Sequence, residues 1–123
     1  MQRVLGIGGL FFRARDPAAL SAWYRTMLGI GPSPESLEQT PWEQAAGYTV
    51  FEPFSLTNDY FGVDRAFMLN FRVASIEAMV SQLRENGVEV SAITDYPYGR
   101  FARLHDPEGN PIELWEPLTP PGA

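Results

Sequence analysis

The chain has 123 residues, 45% of them hydrophobic and 20% charged, a balance with which a single globular domain buries roughly two-thirds of its unfolded surface and which argues against disorder. Its formal net charge is −6 and Lys plus Arg number only 9, so there is no concentrated basic stripe for tracking phosphates and nucleic acid is a poor partner. Cysteine is absent, which excludes disulfides, thiolate catalysis and every Cys-ligated metal site, and gives no support for an oxidising destination.

In chain order, the first element is an apolar run over residues 4–12 that enters Arg13, Arg15 and Asp16 without a small-residue cleavage site. It reads as a buried strand over 6–14, not as a secretory segment. A helix follows over 17–28, because Leu20, Trp23, Tyr24, Met27 and Leu28 recur at the spacing of one helical face. Asp16 is placed to cap it, Pro17 suits its first position, and Gly29 suits its left-handed end. Residues 42–54 carry short β-prone stretches, whereas 32–41 fit no element well. The Ser/Thr/Asn/Asp-rich segment 55–66 reads as a linker. Its adjacent Tyr60 and Phe61 either cap a cleft or pack on the sheet or a second copy.

The pattern then recurs. A strand over 67–73 leads to a helix with Ser75 as N-cap, an apolar face of Ile76, Met79, Val80 and Leu83, and Gly87 as terminator. Strand-like runs at 88–91, 99–105 and 111–116 follow. Between the last two lies Asp106-Pro107-Glu108-Gly109-Asn110, a hairpin turn in which Pro presets the bend and Gly or Asn supplies positive φ. A shift of 59 positions pairs Leu10 with Leu69, Phe12 with Phe71, Arg13 with Arg72 and Arg25 with Arg84. This is an internal repeat of strand and helix together. Residues 119–123 read as a frayed tail. No apolar run approaches the roughly 20 residues of a membrane helix, so the expected setting is cytoplasmic, with no membrane partner.

With "RDPAALSAWYRTMLGI" after the first strand and "HDPEGNPIELWEP" closing the second module, the chain resembles the glyoxalase/bleomycin-resistance/dioxygenase family, the vicinal oxygen chelate superfamily, over nearly its whole length. The resemblance implies an α+β fold of two βαβββ modules forming a curved, partly open eight-stranded sheet. Module one spans about 4–54 and module two about 67–117, within one domain over 1–118. It also implies a homodimer and a small-molecule cleft between the modules.

Metal-dependent members of that family hold a divalent ion with His, Gln and Glu side chains. Strand alternation puts Leu10, Phe12, Ala14, Leu69, Phe71 and Val73 on the core side, leaving Gly9, Phe11, Arg13, Met68, Asn70 and Arg72 to face the hollow. The first two ligand positions then fall on Gly9 and Met68, which offer nothing and a thioether, and only Glu113 matches the family's acidic ligand. Glu52 adds at most a second carboxylate. The expectation is therefore no metal cofactor, with a divalent ion disfavoured.

In place of an ion, Arg103 lies in the same hairpin with the parity to meet Glu113 across strands. The candidate ligand-binding set is Phe11, Arg13, Trp42, Met68, Asn70, Arg72, Arg103, Glu113 and Trp115, with Arg13 and Arg72 equally readable as ion-pairing residues at strand ends. His105, the only histidine, reads as a solvated turn residue, and Trp23 and Tyr24 as core. The leading functional expectation is a protein that binds a small organic molecule. The alternatives are a metal-dependent lyase, isomerase or dioxygenase of the same family, a metal-free enzyme with Glu113 as general base, or an interaction module with a vestigial cleft.

Overall fold

The computed structural model of the protein describes residues 1–31 and 40–118. Most of the poorly fitting segment 32–41 and the tail 119–123 lie outside the described residues. Helix α1 (Pro17–Leu28) begins where Asp16 accepts the Ala19 amide at 3.1 Å, with Pro17 contributing no amide that would need a partner. It ends at Gly29, whose φ of 70° lets Gly29 and Ile30 donate back to the carbonyls of Arg25 and Tyr24. Its apolar stripe is the expected one: Leu20 and Tyr24 are buried, and Trp23, Met27 and Leu28 pack against the same core.

The remaining elements are β1 (Leu69–Arg72), α2 (Ile76–Glu85), β2 (Thr94–Tyr96), β3 (Gly99–His105) and β4 (Pro111–Pro117). They build one mixed sheet in the order β1-β4-β3-β2, with β1 parallel to β4 and the other two pairs antiparallel. Alternation assigns the faces. Leu69, Ala102, Leu104, Ile112 and Leu114 are buried with Ile76, Val80 and Leu83 of α2. Ile76, Leu83, Ile112 and Leu114 are the largest fully buried side chains, and each contributes about 1.5–3 kcal/mol of apolar burial. The first turn of α2 is satisfied twice, by Ser75 Oγ accepting from Ala78 at 3.2 Å and by the Glu116 carboxylate of β4 accepting from Ile76 at 2.9 Å.

The β3–β4 turn is organised by Asp106. One of its oxygens accepts the amides of Glu108 and Asn110, at 2.8 and 3.0 Å, while the other accepts Asn110 Nδ2 at 2.7 Å and the Tyr24 hydroxyl at 2.6 Å. The same turn holds the start of α1, because the Glu108 carboxylate accepts the Arg15 and Asp16 amides at 2.6 and 3.1 Å. Arg65, from the segment that precedes β1, donates to Asn110 Oδ1 and the Glu108 carbonyl at 3.2 and 3.1 Å.

One expectation needs correction. The second-module strand read at 88–91 is not formed; the short strand lies at Thr94–Tyr96. Ser91 makes one ladder-like bond, its amide donating to the Arg103 carbonyl at 2.9 Å, but Arg84 occupies the carbonyls of Val90 and Ser91 and Ser91 Oγ takes the Arg103 amide, so the ladder does not extend along the segment. The sheet has four strands, and among the described residues none lies in 6–14 or 42–54. Gly6, Gly8 and Gly9 weaken the first of these segments as a strand, and Gly47 and Pro53 interrupt the second. Phe12 nevertheless packs edge-on against both Tyr24 and Phe67. No helix among the described residues is long and apolar enough to cross a membrane.

Candidate functional site

The face of the sheet turned away from the helices carries Asn70 and Arg72 on β1, Phe101 and Arg103 on β3, and Glu113 and Trp115 on β4. Register sets their contacts: Asn70 and Arg103 are the lateral neighbours of Glu113 on its two sides. Glu113 is only 4% exposed, so its carboxylate requires partners. Asn70 Nδ2 donates to one oxygen at 2.8 Å, and Arg103 Nε stands 3.4 Å from the other.

The third partner comes from the linker. The Tyr60 hydroxyl donates to Glu113 at 2.6 Å, the Arg103 guanidinium lies 3.9 Å from the Tyr60 ring centre, and Arg103 also donates to the Tyr60 carbonyl. Burial, followed by the bond to Glu113, raises the phenol above its ordinary range, with Arg103 opposing part of the effect. The hydroxyl is thus a protonated donor at neutral pH. Tyr60 is set in place locally by its amide bonded to Asn58 Oδ1 at 2.8 Å and by edge-on packing against Phe54.

Asn70 also lines a hollow of about 700 Å³ between the 42–50 segment, the exposed edge of β1 and α2. Trp42, Tyr48, Phe71, Met79 and Trp115 supply apolar walls, and Arg72 a cation. Arg72 is anchored to the 42–50 segment, donating to the Ala45 and Ala46 carbonyls at 2.9 and 3.3 Å. Beyond Trp115 lies an aromatic platform, with Phe101 stacked parallel to Trp115 at 6.3 Å and Tyr96 parallel to Tyr98 at 5.6 Å.

Of the residues expected at a site, Asn70, Arg103 and Glu113 meet one another, and Trp42, Asn70, Arg72 and Trp115 line the hollow. Phe11 is 95% exposed, and Arg13 is exposed without an ion pair or hydrogen bond among the described residues; neither joins them. Met68 is half-buried and lines no part of the hollow. Sequence reasoning did not commit Tyr60 to the site, and it missed Tyr96 and Tyr98. The Tyr-Pro-Tyr string before Gly99 was the available signal for the platform.

A divalent ion does not suit these residues. Around Glu113 stand an amide nitrogen and a phenol hydroxyl that donate hydrogen bonds to it and a guanidinium at 3.4 Å, and a fixed guanidinium repels a cation. Gly9 has only the Phe11 ring within 4 Å of where a side chain would begin. Among the described residues, no group of three or more His, Asp or Glu side chains is placed to hold a metal.

Comparison with known proteins adds the family context. The sequence model of the glyoxalase-like domain matches residues 9–115. A glyoxalase/bleomycin resistance protein from Streptomyces sp. CB03234 is 38% identical over 39% of this chain and 42% of its own, with a TM-score of 0.38. The match therefore spans less than half of that protein. TnmS3, an antibiotic binding protein from the same Streptomyces, is 24% identical over 85% of this chain and 88% of its own, with a TM-score of 0.55. A lactoylglutathione lyase from Agrobacterium tumefaciens is 15% identical over 94% and 96%, with a TM-score of 0.59. These last two likenesses are likenesses of fold. No curated protein matches the chain.

Proposed function

Since the chain belongs to the glyoxalase-like domain family, we propose that it binds a small organic molecule at the β1 edge of its sheet, in the hollow shared with the 42–50 segment and α2, without a tightly bound metal. The observation that carries this reading is the hollow of about 700 Å³, walled by Trp42 and Trp115 and joined through Asn70 to the buried Glu113 carboxylate. Ligand sites commonly pair such apolar walls with a few convergent polar groups. The description of TnmS3 as an antibiotic binding protein supports small-molecule binding on this fold. A lyase, isomerase or dioxygenase activity is the alternative that the lactoylglutathione lyase fold keeps in view. With both oxygens of Glu113 already accepting hydrogen bonds, binding is favoured over its use as a general base.

The finer architecture belongs to the same proposal. Residues 4–54 act as a first module and 67–117 as a second, their pairing completes an eight-stranded sheet, and two chains associate as a homodimer. A cytoplasmic setting is part of the same proposal.

The test is a tryptophan-fluorescence titration against a library of small organic compounds, with Trp115→Ala alongside. Saturable quenching that weakens roughly tenfold or more in the variant is expected, since aromatic stacking is worth about 1.5 kcal/mol. Metal analysis of untagged protein purified without chelator completes it. About one transition metal per chain, or turnover of a carbonyl compound that Glu113→Gln abolishes, sinks the reading.

A further inference from the structure

Glu113 has three partners, and they differ in how they are held. Asn70 and Arg103 project from β1 and β3 at positions registered directly against Glu113, so the sheet fixes both. Tyr60 belongs to a segment with neither helix nor strand, and it remains 42% exposed. Its attachment consists of the hydroxyl bond to Glu113, the Arg103 contacts, one local amide bond to Asn58 and packing on Phe54. Two partners are scaffold; one is removable.

We infer that Tyr60 is a built-in occupant of the ligand site, standing in for a ligand that carries a hydroxyl group on an aromatic ring. The inference rests on the small-molecule reading above and narrows it to a chemical class. Without the Tyr60 side chain, the scaffold presents a buried carboxylate that accepts a hydrogen bond and a guanidinium face that receives a flat π system. A carboxylate or phosphate ligand would be repelled by Glu113, and an ammonium would lie against the Arg103 guanidinium. A neutral aryl hydroxyl suits both groups. It donates to Glu113 while its ring lies against Arg103, which is what the Tyr60 phenol does at 2.6 Å and 3.9 Å. The remainder of a larger ring system then extends past Asn70 towards Trp115 and the hollow. Binding of such a ligand displaces Tyr60, so the closed state competes with the ligand and sets its affinity.

The experiment incorporates 3-fluorotyrosine into the full chain and follows the fluorine resonances during titration with 2-naphthol, naphthalene and 2-naphthoate. The chain has only five tyrosines, and Tyr60→Phe assigns the resonance in question. Expected is a shift of the Tyr60 resonance with 2-naphthol, concurrent with tryptophan quenching, while the buried Tyr24 resonance stays still. Naphthalene and 2-naphthoate bind at least roughly tenfold more weakly, reflecting one lost charge-assisted hydrogen bond and one added repulsion. Tyr60→Phe, whose closed state lacks the bond to Glu113, binds 2-naphthol roughly tenfold more tightly. Tyr→Phe variants at the other four positions assign the Tyr60 resonance by elimination, so the fluorine measurement stands whether or not Tyr60→Phe folds.

Quenching by 2-naphthol with an unmoved Tyr60 resonance overturns the inference and leaves the binding reading intact. So does equal affinity for naphthalene. If none of the three compounds perturbs the tryptophans, nor any compound in the wider library, the binding reading falls and this one with it.

Discussion

Tyr24 shows how a side chain explained by one pattern can have a second role that the pattern does not contain. Its place on the apolar stripe of α1 accounts for its ring, but the hydroxyl of a buried tyrosine needs a partner, and it is found 82 residues away on Asp106. Burial first, then the hydrogen bond and charge of Asp106, raise this phenol far above its ordinary range. A pKa raised on folding means that the unfolded chain releases the proton first. The contribution is therefore fully present below about pH 10 and is lost as pH climbs towards the folded value. Tyr24→Phe is expected to lower stability at pH 7 by about 1.5 kcal/mol, at the low end for a bond to a charged group because Asp106 keeps three other donors. Urea denaturation at pH 7 and pH 11 checks both parts: the variant's deficit should shrink at the higher pH. A deficit that grows would refute the assignment. The Arg103–Glu113 pairing, by contrast, was legible, because parity within one hairpin determines which side chains stand opposite each other. Tyr60 over Glu113 was not, since nothing local specifies where a linker residue 53 positions away comes to rest.

At the scale of elements, the two helices and the hairpin were readable because their signals are local: an apolar period, a capping side chain, and a turn sequence with Pro, Gly and Asn in the required places. Strands carry no such self-sufficiency. Residues 6–14 and 42–54 have β-prone composition, but a ladder depends on a partner that sequence pattern does not choose. The hairpin turn has a larger role than its sequence discloses. Asp106 holds the turn amides and Tyr24, and Glu108 holds the first amides of α1, so one five-residue loop fastens the first helix to the second half of the chain. Asp106→Ala should cost about 3–5 kcal/mol, as expected when a buried hydrogen-bond network is broken. It should also release α1 preferentially. Native-state hydrogen exchange tests this: protection of the α1 amides should fall further than that of β3 and β4. Equal losses across both regions would show that the turn stabilises the domain without acting as the fastener.

For the whole molecule, the informative quantity is surface. In the first half of the chain large apolar side chains stand open, with Leu5, Phe11 and Phe51 107%, 95% and 86% exposed. Patches of that kind mark association surfaces. The proposed homodimer is expected to make its contacts through residues 4–12 and 48–54 rather than through α2 or the β3–β4 hairpin. Two chains that each carry a formal charge of −6 repel, so association should strengthen with ionic strength as screening removes the repulsion. Sedimentation equilibrium is expected to show a dimer at micromolar concentration, with a melting temperature that rises with protein concentration. Phe51→Glu should lower the dimer fraction and abolish that concentration dependence, while circular dichroism retains the helical signal of α1 and α2. A chain that sediments as a monomer at low and high salt, with a melting temperature independent of concentration, would overturn the dimer.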